Sequence, residues 1–133
     1  MDIKVNKKIL ESAWYGPAPE GAPTLIFLHV GLGSVSMWRN FPQKLSLLTG
    51  CGALLYSRFG YGKSEKCELP RPVNFMHKEG LEILPEVISS CRIKQYILVG
   101  HSDGASIALI HAGSDYSSKL LGMVNEAPHV FCE

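Results

Sequence analysis

Apolar residues along this chain come in short continuous runs, separated by amphipathic stretches and turn-rich loops. Thr24-Leu25-Ile26-Phe27-Leu28-His29, Ala53-Leu54-Leu55-Tyr56-Ser57, Tyr96-Ile97-Leu98-Val99 and Leu120-Leu121-Gly122-Met123-Val124-Asn125 each read as a strand. Runs without polar alternation fit strands buried on both faces, as in a parallel sheet. Ser36 is placed to cap a short helical turn carrying Met37 and Trp38. Pro42 fits the first turn of a helix running to about Thr49, with Gly50 as its stop. Trp38, Phe41, Leu45 and Leu48 fall on one face of that pattern. A second helix is expected over 73–91, with Val73, Met76, Gly80, Leu84, Val87, Ile88 and Cys91 as its inner stripe and a bend at Pro85. A third is expected to run from about Ala105 to Ser114. Residues 1–15 alternate loosely and read as one or two short edge strands. Pro70 and Pro72 keep the connection before the second helix extended.

Alternating strands and helices argue for an α/β fold: a mostly parallel sheet with flanking helices and right-handed crossovers. Ligands then bind beyond the carboxyl ends of the strands. His29-Val30-Gly31, Arg58, Ser102 and His129 all sit at such ends.

Composition narrows the field. A chain of 133 residues fits one domain, and a net charge of +1 gives no reason to expect nucleic acid or an anionic membrane as a partner. No apolar run approaches the ~18 residues of a membrane span, and the first eight residues lack the apolar core of a secretory signal. Cys51, Cys67, Cys91 and Cys132 are widely spaced, which suits a reduced cytoplasmic protein and argues against a metal site.

The chemistry concentrates in Gly100-His101-Ser102-Asp103-Gly104, between an apolar strand and an alanine-rich helix. This is a G-x-S-x-G pattern in the setting of a nucleophile elbow. A serine at the tip of such a turn is exposed, its backbone is strained, and its neighbours must be small for strand and helix to pass closely. Ser102 is the candidate nucleophile. The Asp103 N–H, at the new helix N-terminus, points toward a developing oxyanion. A second donor is expected from the loop after the strand at 24–29: the N–H of Gly31, with Val30 or Leu32 as alternatives. That loop also partly resembles a dinucleotide fingerprint, Gly31-x-Gly33-x-x-Ser36, with Arg58 able to read a 2′-phosphate. The third glycine is absent, and so is an acid at that strand end.

The base is less plain. His101 adjoins Ser102 and points the wrong way, His111 lies within the following helix, His77 sits on a helix surface, and His29 braces the loop it precedes. His129 alone follows the serine near a strand's carboxyl end, and a Ser102–His129 dyad is the pairing the order allows.

Three segments together resemble the N-terminal half of an α/β-hydrolase of the group with a cap domain. They are residues 29–38 as the oxyanion loop, Ser57-Arg58-Phe59-Gly60-Tyr61-Gly62-Lys63-Ser64 as the arginine-glycine-tyrosine-glycine-x-serine loop, and Val99-Gly100-His101-Ser102-Asp103-Gly104-Ala105 as the elbow. Val30 departs from the glycine or small polar residue that the family prefers there. The resemblance implies hydrolysis of a small ester or related acyl bond, without cofactor or metal. It also implies that a cap, two core strands, an acid and a histidine would follow. The chain stops at Glu133, so the expectation is a truncated core with an unprotected apolar edge strand that favours self-association. A non-catalytic remnant acting through a partner is the alternative, and a nucleotide-binding α/β domain a further one.

Overall fold

The computed structural model describes residues 2–67, 69 and 71–129. Strands β1 (Asp2–Val5) and β2 (Lys8–Tyr15) form a hairpin, and β3 (Thr24–Leu28) follows the proline-rich loop. A 3₁₀ turn (Val35–Trp38) precedes α1 (Phe41–Thr49) and β4 (Gly52–Tyr56). Then come α2 (Phe75–Lys78), a π-helical stretch (Glu79–Ile83) and α3 (Leu84–Ser90), followed by β5 (Tyr96–His101), α4 (Asp103–Ala112) and β6 (Leu120–Glu126). The sheet order is β1-β2-β4-β3-β5-β6. β4, β3, β5 and β6 are mutually parallel, while β1–β2 and β2–β4 pair antiparallel. Because the four parallel strands share a direction, their carboxyl ends meet along one edge. That edge carries His29, Arg58 and Ser102.

Strand alternation divides the core. Ile26, Leu28, Leu54, Tyr56 and Leu98 face one side, under Leu84 and Val87 of α3 and Ile107 of α4. Leu25, Phe27, Ala53, Leu55 and Val99 face the other, against Trp38 and Leu45. All five residues of β3 and all five of β4 are buried, as uninterrupted apolar runs require.

Local differences from the sequence reading have physical causes. Gly50 ends α1 in the left-handed conformation, φ 73°, as expected. The inward face of α1 is Pro42, Leu45 and Ser46, however, and Leu48 is 84% exposed. The buried Ser46 hydroxyl donates to the Cys51 carbonyl at 2.7 Å, which turns that side of the helix to the sheet. Ser34, not Ser36, stands at the N-cap of the 3₁₀ turn, and the two hydroxyls bond to each other at 2.9 Å instead of capping it.

Val73 lies outside the second helix and is exposed, because the Phe75 N–H first closes a turn onto Pro72 O. Pro70 falls outside the described residues. Near Pro85 the helix widens rather than simply bending. Pro85 has no N–H for the Leu81 carbonyl, and the preceding Glu79–Ile83 stretch is π-helical. The widened turn presents the Gly80 carbonyl to His111 Nδ1 at 2.8 Å. His111 is thus buried between α4 and this turn, with Nε2 on the Tyr96 hydroxyl at 2.5 Å.

Candidate active site

Ser102 sits between β5 and α4 with φ 55° and ψ −115°, a conformation costly for any residue with a Cβ. The surrounding packing enforces it. A Cβ on Gly104 would run into the Leu28 carbonyl, and one on Gly100 would lie 2.7 Å from Ala105 backbone atoms. The Ser102 N–H is tied across to Glu126 O of β6 at 2.8 Å. The chain therefore leaves β5 on a sharp turn that only glycine neighbours permit, and the serine side chain projects from the sheet edge.

The loop after β3 is held from beneath. His29 is fully buried. Its Nε2 accepts the Arg58 backbone N–H at 2.9 Å, so the ring proton is on Nδ1, which donates to Val30 O at 2.7 Å. The buried Arg58 guanidinium donates to His29 O at 2.7 Å and to Val30 O at 3.3 Å. Gly33 N–H adds a further bond to Val30 O at 2.9 Å. Burial first, and the Arg58 charge second, push the His29 pKa down to about 3, so the ring is neutral. Arg58 is thereby committed within the chain, which removes it as a reader of a 2′-phosphate. Tyr61 stacks edge-on to His29, with ring centroids 5.3 Å apart, and Arg71 lies over Tyr61 at 4.7 Å. Glu79 is buried on the other side of this cluster. Its pKa is raised to about 6 by burial, against the lowering charges of Arg58, Arg71 and Lys78.

The clamped loop brings Gly31 against the elbow: a Cβ there would lie 2.6 Å from Asp103 Oδ2. Gly31 and Asp103, the two expected N–H donors, are therefore neighbours. After β6, Ala127 turns in the left-handed region, φ 51°, and the chain folds back over α4. His129 Nε2 then lies 2.8 Å from Ser102 Oγ. Asp103 Oδ1 approaches the same nitrogen at 3.6 Å. The His129 side chain is 51% exposed and that of Asp103 21%. His77 is exposed on α2 and His111 is buried away from the serine.

Ser102, Asp103, Gly31 and His129, the candidates that motif and chain order single out, do come together. Ser106, whose hydroxyl grips the His129 backbone, and Glu79 beneath Arg58 are not among them. Ser106 stands at i+4 from Ser102, on the same helix face, and that spacing was the available signal. Among the described residues no group of three or more His, Cys, Asp or Glu is arranged to hold a metal ion. Among the described residues no helix is long and apolar enough to cross a membrane.

A mostly parallel sheet flanked by helices, with a serine on a left-handed strand-to-helix turn beside the loop of the neighbouring strand, is the architecture of an α/β-hydrolase core. The sequence profile described as "Alpha/beta hydrolase family" matches residues 25–131, and the chain belongs to that family. A curated relative, 2-succinyl-6-hydroxy-2,4-cyclohexadiene-1-carboxylate synthase of Salmonella paratyphi C, is 28% identical over 117 residues, covering 88% of this chain and 43% of that protein. Among solved structures, an alpha/beta hydrolase enzyme from a Medee basin deep-sea metagenome library superposes with TM-score 0.80 at 25% identity, over 94% of this chain and 43% of the other. A membrane phospholipase A described as a bacterial virulence factor gives TM-score 0.83 at 17% identity, over 97% and 39%, a likeness of fold alone. The chain spans less than half the length of each of these relatives.

Proposed function

We propose that this chain carries a serine-hydrolase site that cleaves a small ester or related acyl bond. The observation that carries the reading is the 2.8 Å approach of His129 Nε2 to Ser102 Oγ. Family membership does not choose the reaction, since the relatives' names include a synthase, a hydrolase and a phospholipase. The site favours acyl transfer because nucleophile, base and oxyanion donors each have a candidate residue. Ser102 Oγ attacks the carbonyl carbon while its proton passes to His129 Nε2. The carbonyl oxygen, now negative, lies against the N–H groups of Gly31 and Asp103. His129 returns the proton to the leaving oxygen, and the acyl group stays on Ser102. Water then attacks the acyl ester as its proton passes to His129, which returns it to Ser102 Oγ as the acid leaves. The Asp103 carboxylate, 3.6 Å from Nε2, steadies the transient imidazolium.

The reading is tested with p-nitrophenyl acetate. The chain should release nitrophenolate faster than buffer alone, and both Ser102→Ala and His129→Ala should remove the excess. Equal release by the parent chain and both variants would refute it.

A second reading, a non-catalytic member of the fold acting through a partner, is favoured by one feature: among the described residues no carboxylate faces His129 Nδ1. A folded chain without excess release is its expected result.

A further inference from the structure

Ser106 is one helical turn beyond Ser102 on α4 and is buried. Its Oγ accepts the His129 backbone N–H at 2.7 Å and donates to the His129 carbonyl at 2.9 Å. One hydroxyl thus grips a single residue by both main-chain groups. No other bond to the His129 main chain exists among the described residues. β6 has ended at Glu126, Ala127 has turned the chain, and Pro128 has no N–H to give. The His129 ring meets Ser102 and Asp103 through Nε2 alone, and Nδ1 has no partner among the described residues. A histidine base ordinarily needs an orienting group on its second nitrogen. Here the orientation has to come from the backbone.

We infer that Ser106 is the positioning residue that fixes His129 beside Ser102. This rests on the reading of Ser102 and His129 as a reacting pair. The bridge acts through chain entropy. A residue held at both its N–H and its carbonyl samples few backbone conformations, and the imidazole then swings only about its own side-chain torsions. Nucleophile and base are thereby carried on one rigid element, since Ser102 opens α4 and Ser106 lies in its first turn and a half. Separation of Oγ from Nε2 depends on helix geometry, not on the end of an edge strand.

The test compares the 133-residue chain with Ser106→Ala and Ser106→Thr. Two quantities are read: the second-order rate of fluorophosphonate labelling, with and without added imidazole, and exchange of the His129 backbone amide by NMR. We expect Ser106→Ala to label about 30-fold more slowly and to recover with imidazole proportionally more than the parent, because only the base's position has been lost. Ser106→Thr, which keeps the hydroxyl, should label within about threefold of the parent. The His129 amide should be protected in the parent and in Ser106→Thr, and exchange freely in Ser106→Ala. Labelling of Ser106→Ala at the parent rate, or unchanged protection of the His129 amide, overturns the inference. If the parent itself does not label, the reacting-pair reading fails, and amide exchange alone then decides whether Ser106 holds His129. If Ser106→Ala does not fold, Ser106→Cys replaces it, since a thiol occupies similar space and bonds more weakly.

Discussion

Arg58 and His29 hold each other through two hydrogen bonds that run in the same direction. The Arg58 main-chain N–H donates to the His29 ring at 2.9 Å, and the Arg58 guanidinium donates to the His29 carbonyl at 2.7 Å. The pair joins the carboxyl ends of β3 and β4 and sets the start of the loop that carries Gly31. Arg58→Met should destabilise the chain by about 3 kcal/mol, because it strips the His29 carbonyl of its guanidinium donor and leaves Glu79 buried with less compensating charge. Urea unfolding measures it. A loss under ~0.5 kcal/mol, the scale of a surface substitution, would show that the clamp is ornamental.

The same cluster sets the pH dependence. His29 has a folded pKa of about 3 against an ordinary 6.5. The unfolded chain therefore binds the proton first, and this contribution is present above pH 6.5 and lost as pH falls toward 3. Glu79 has the opposite sign. Its folded pKa of about 6 exceeds the ordinary 4.5, so its contribution is present below 4.5 and lost as pH rises through 6. Between pH 4.5 and 6 the two oppose. His111, whose pKa burial also lowers, acts in the same direction as His29. In Glu79→Gln the acid loss of stability should steepen there by about 1.4 kcal/mol per pH unit, one proton's worth. Urea midpoints at several pH values decide this, and an unchanged slope would rule out a titrating Glu79.

Gly104 is where α4 passes the end of β3. A Cβ there would collide with the Leu28 carbonyl, a backbone atom that cannot step aside. Gly104→Ala should cost about 3 kcal/mol, at the upper end of overpacking changes, whereas Gly122→Ala, which meets nothing within 4 Å, should be near neutral. Thermal melts of the two variants side by side make the comparison.

Ser102 holds a left-handed backbone, φ 55°, under constraint from its neighbours. Ser102→Gly should therefore melt higher than Ser102→Ala, by the equivalent of about 1 kcal/mol, since both lack the hydroxyl and only glycine relieves the strain. Equal melting temperatures would mean that the elbow is relaxed in solution.

Much of this arrangement is legible in the residues. Uninterrupted apolar runs mark β3 and β4, because strands covered on both faces need no polar alternation. Gly100 and Gly104 around Ser102 announce the elbow, because close passage of strand and helix admits little else. What escapes the pattern depends on contacts between distant segments. Leu48 obeys helical spacing and is still exposed, since the buried Ser46 hydroxyl turns α1 toward Cys51. His129 stands at the right place in the order, but its reach to Ser102 depends on a left-handed Ala127 and on Ser106, neither of which announces itself. Glu79 falls outside the inner stripe expected of its helix, yet it lies buried beneath Arg58.

A serine-hydrolase site here requires that His129 activate Ser102. Intact-mass measurement of the purified chain after fluorophosphonate treatment tests it most directly, with Ser102→Ala and His129→Ala alongside. One added phosphonyl group is expected on the parent chain, none on Ser102→Ala, and strongly slowed addition on His129→Ala. A folded parent chain that gains no mass, or a His129→Ala variant that labels as fast as the parent, would contradict it.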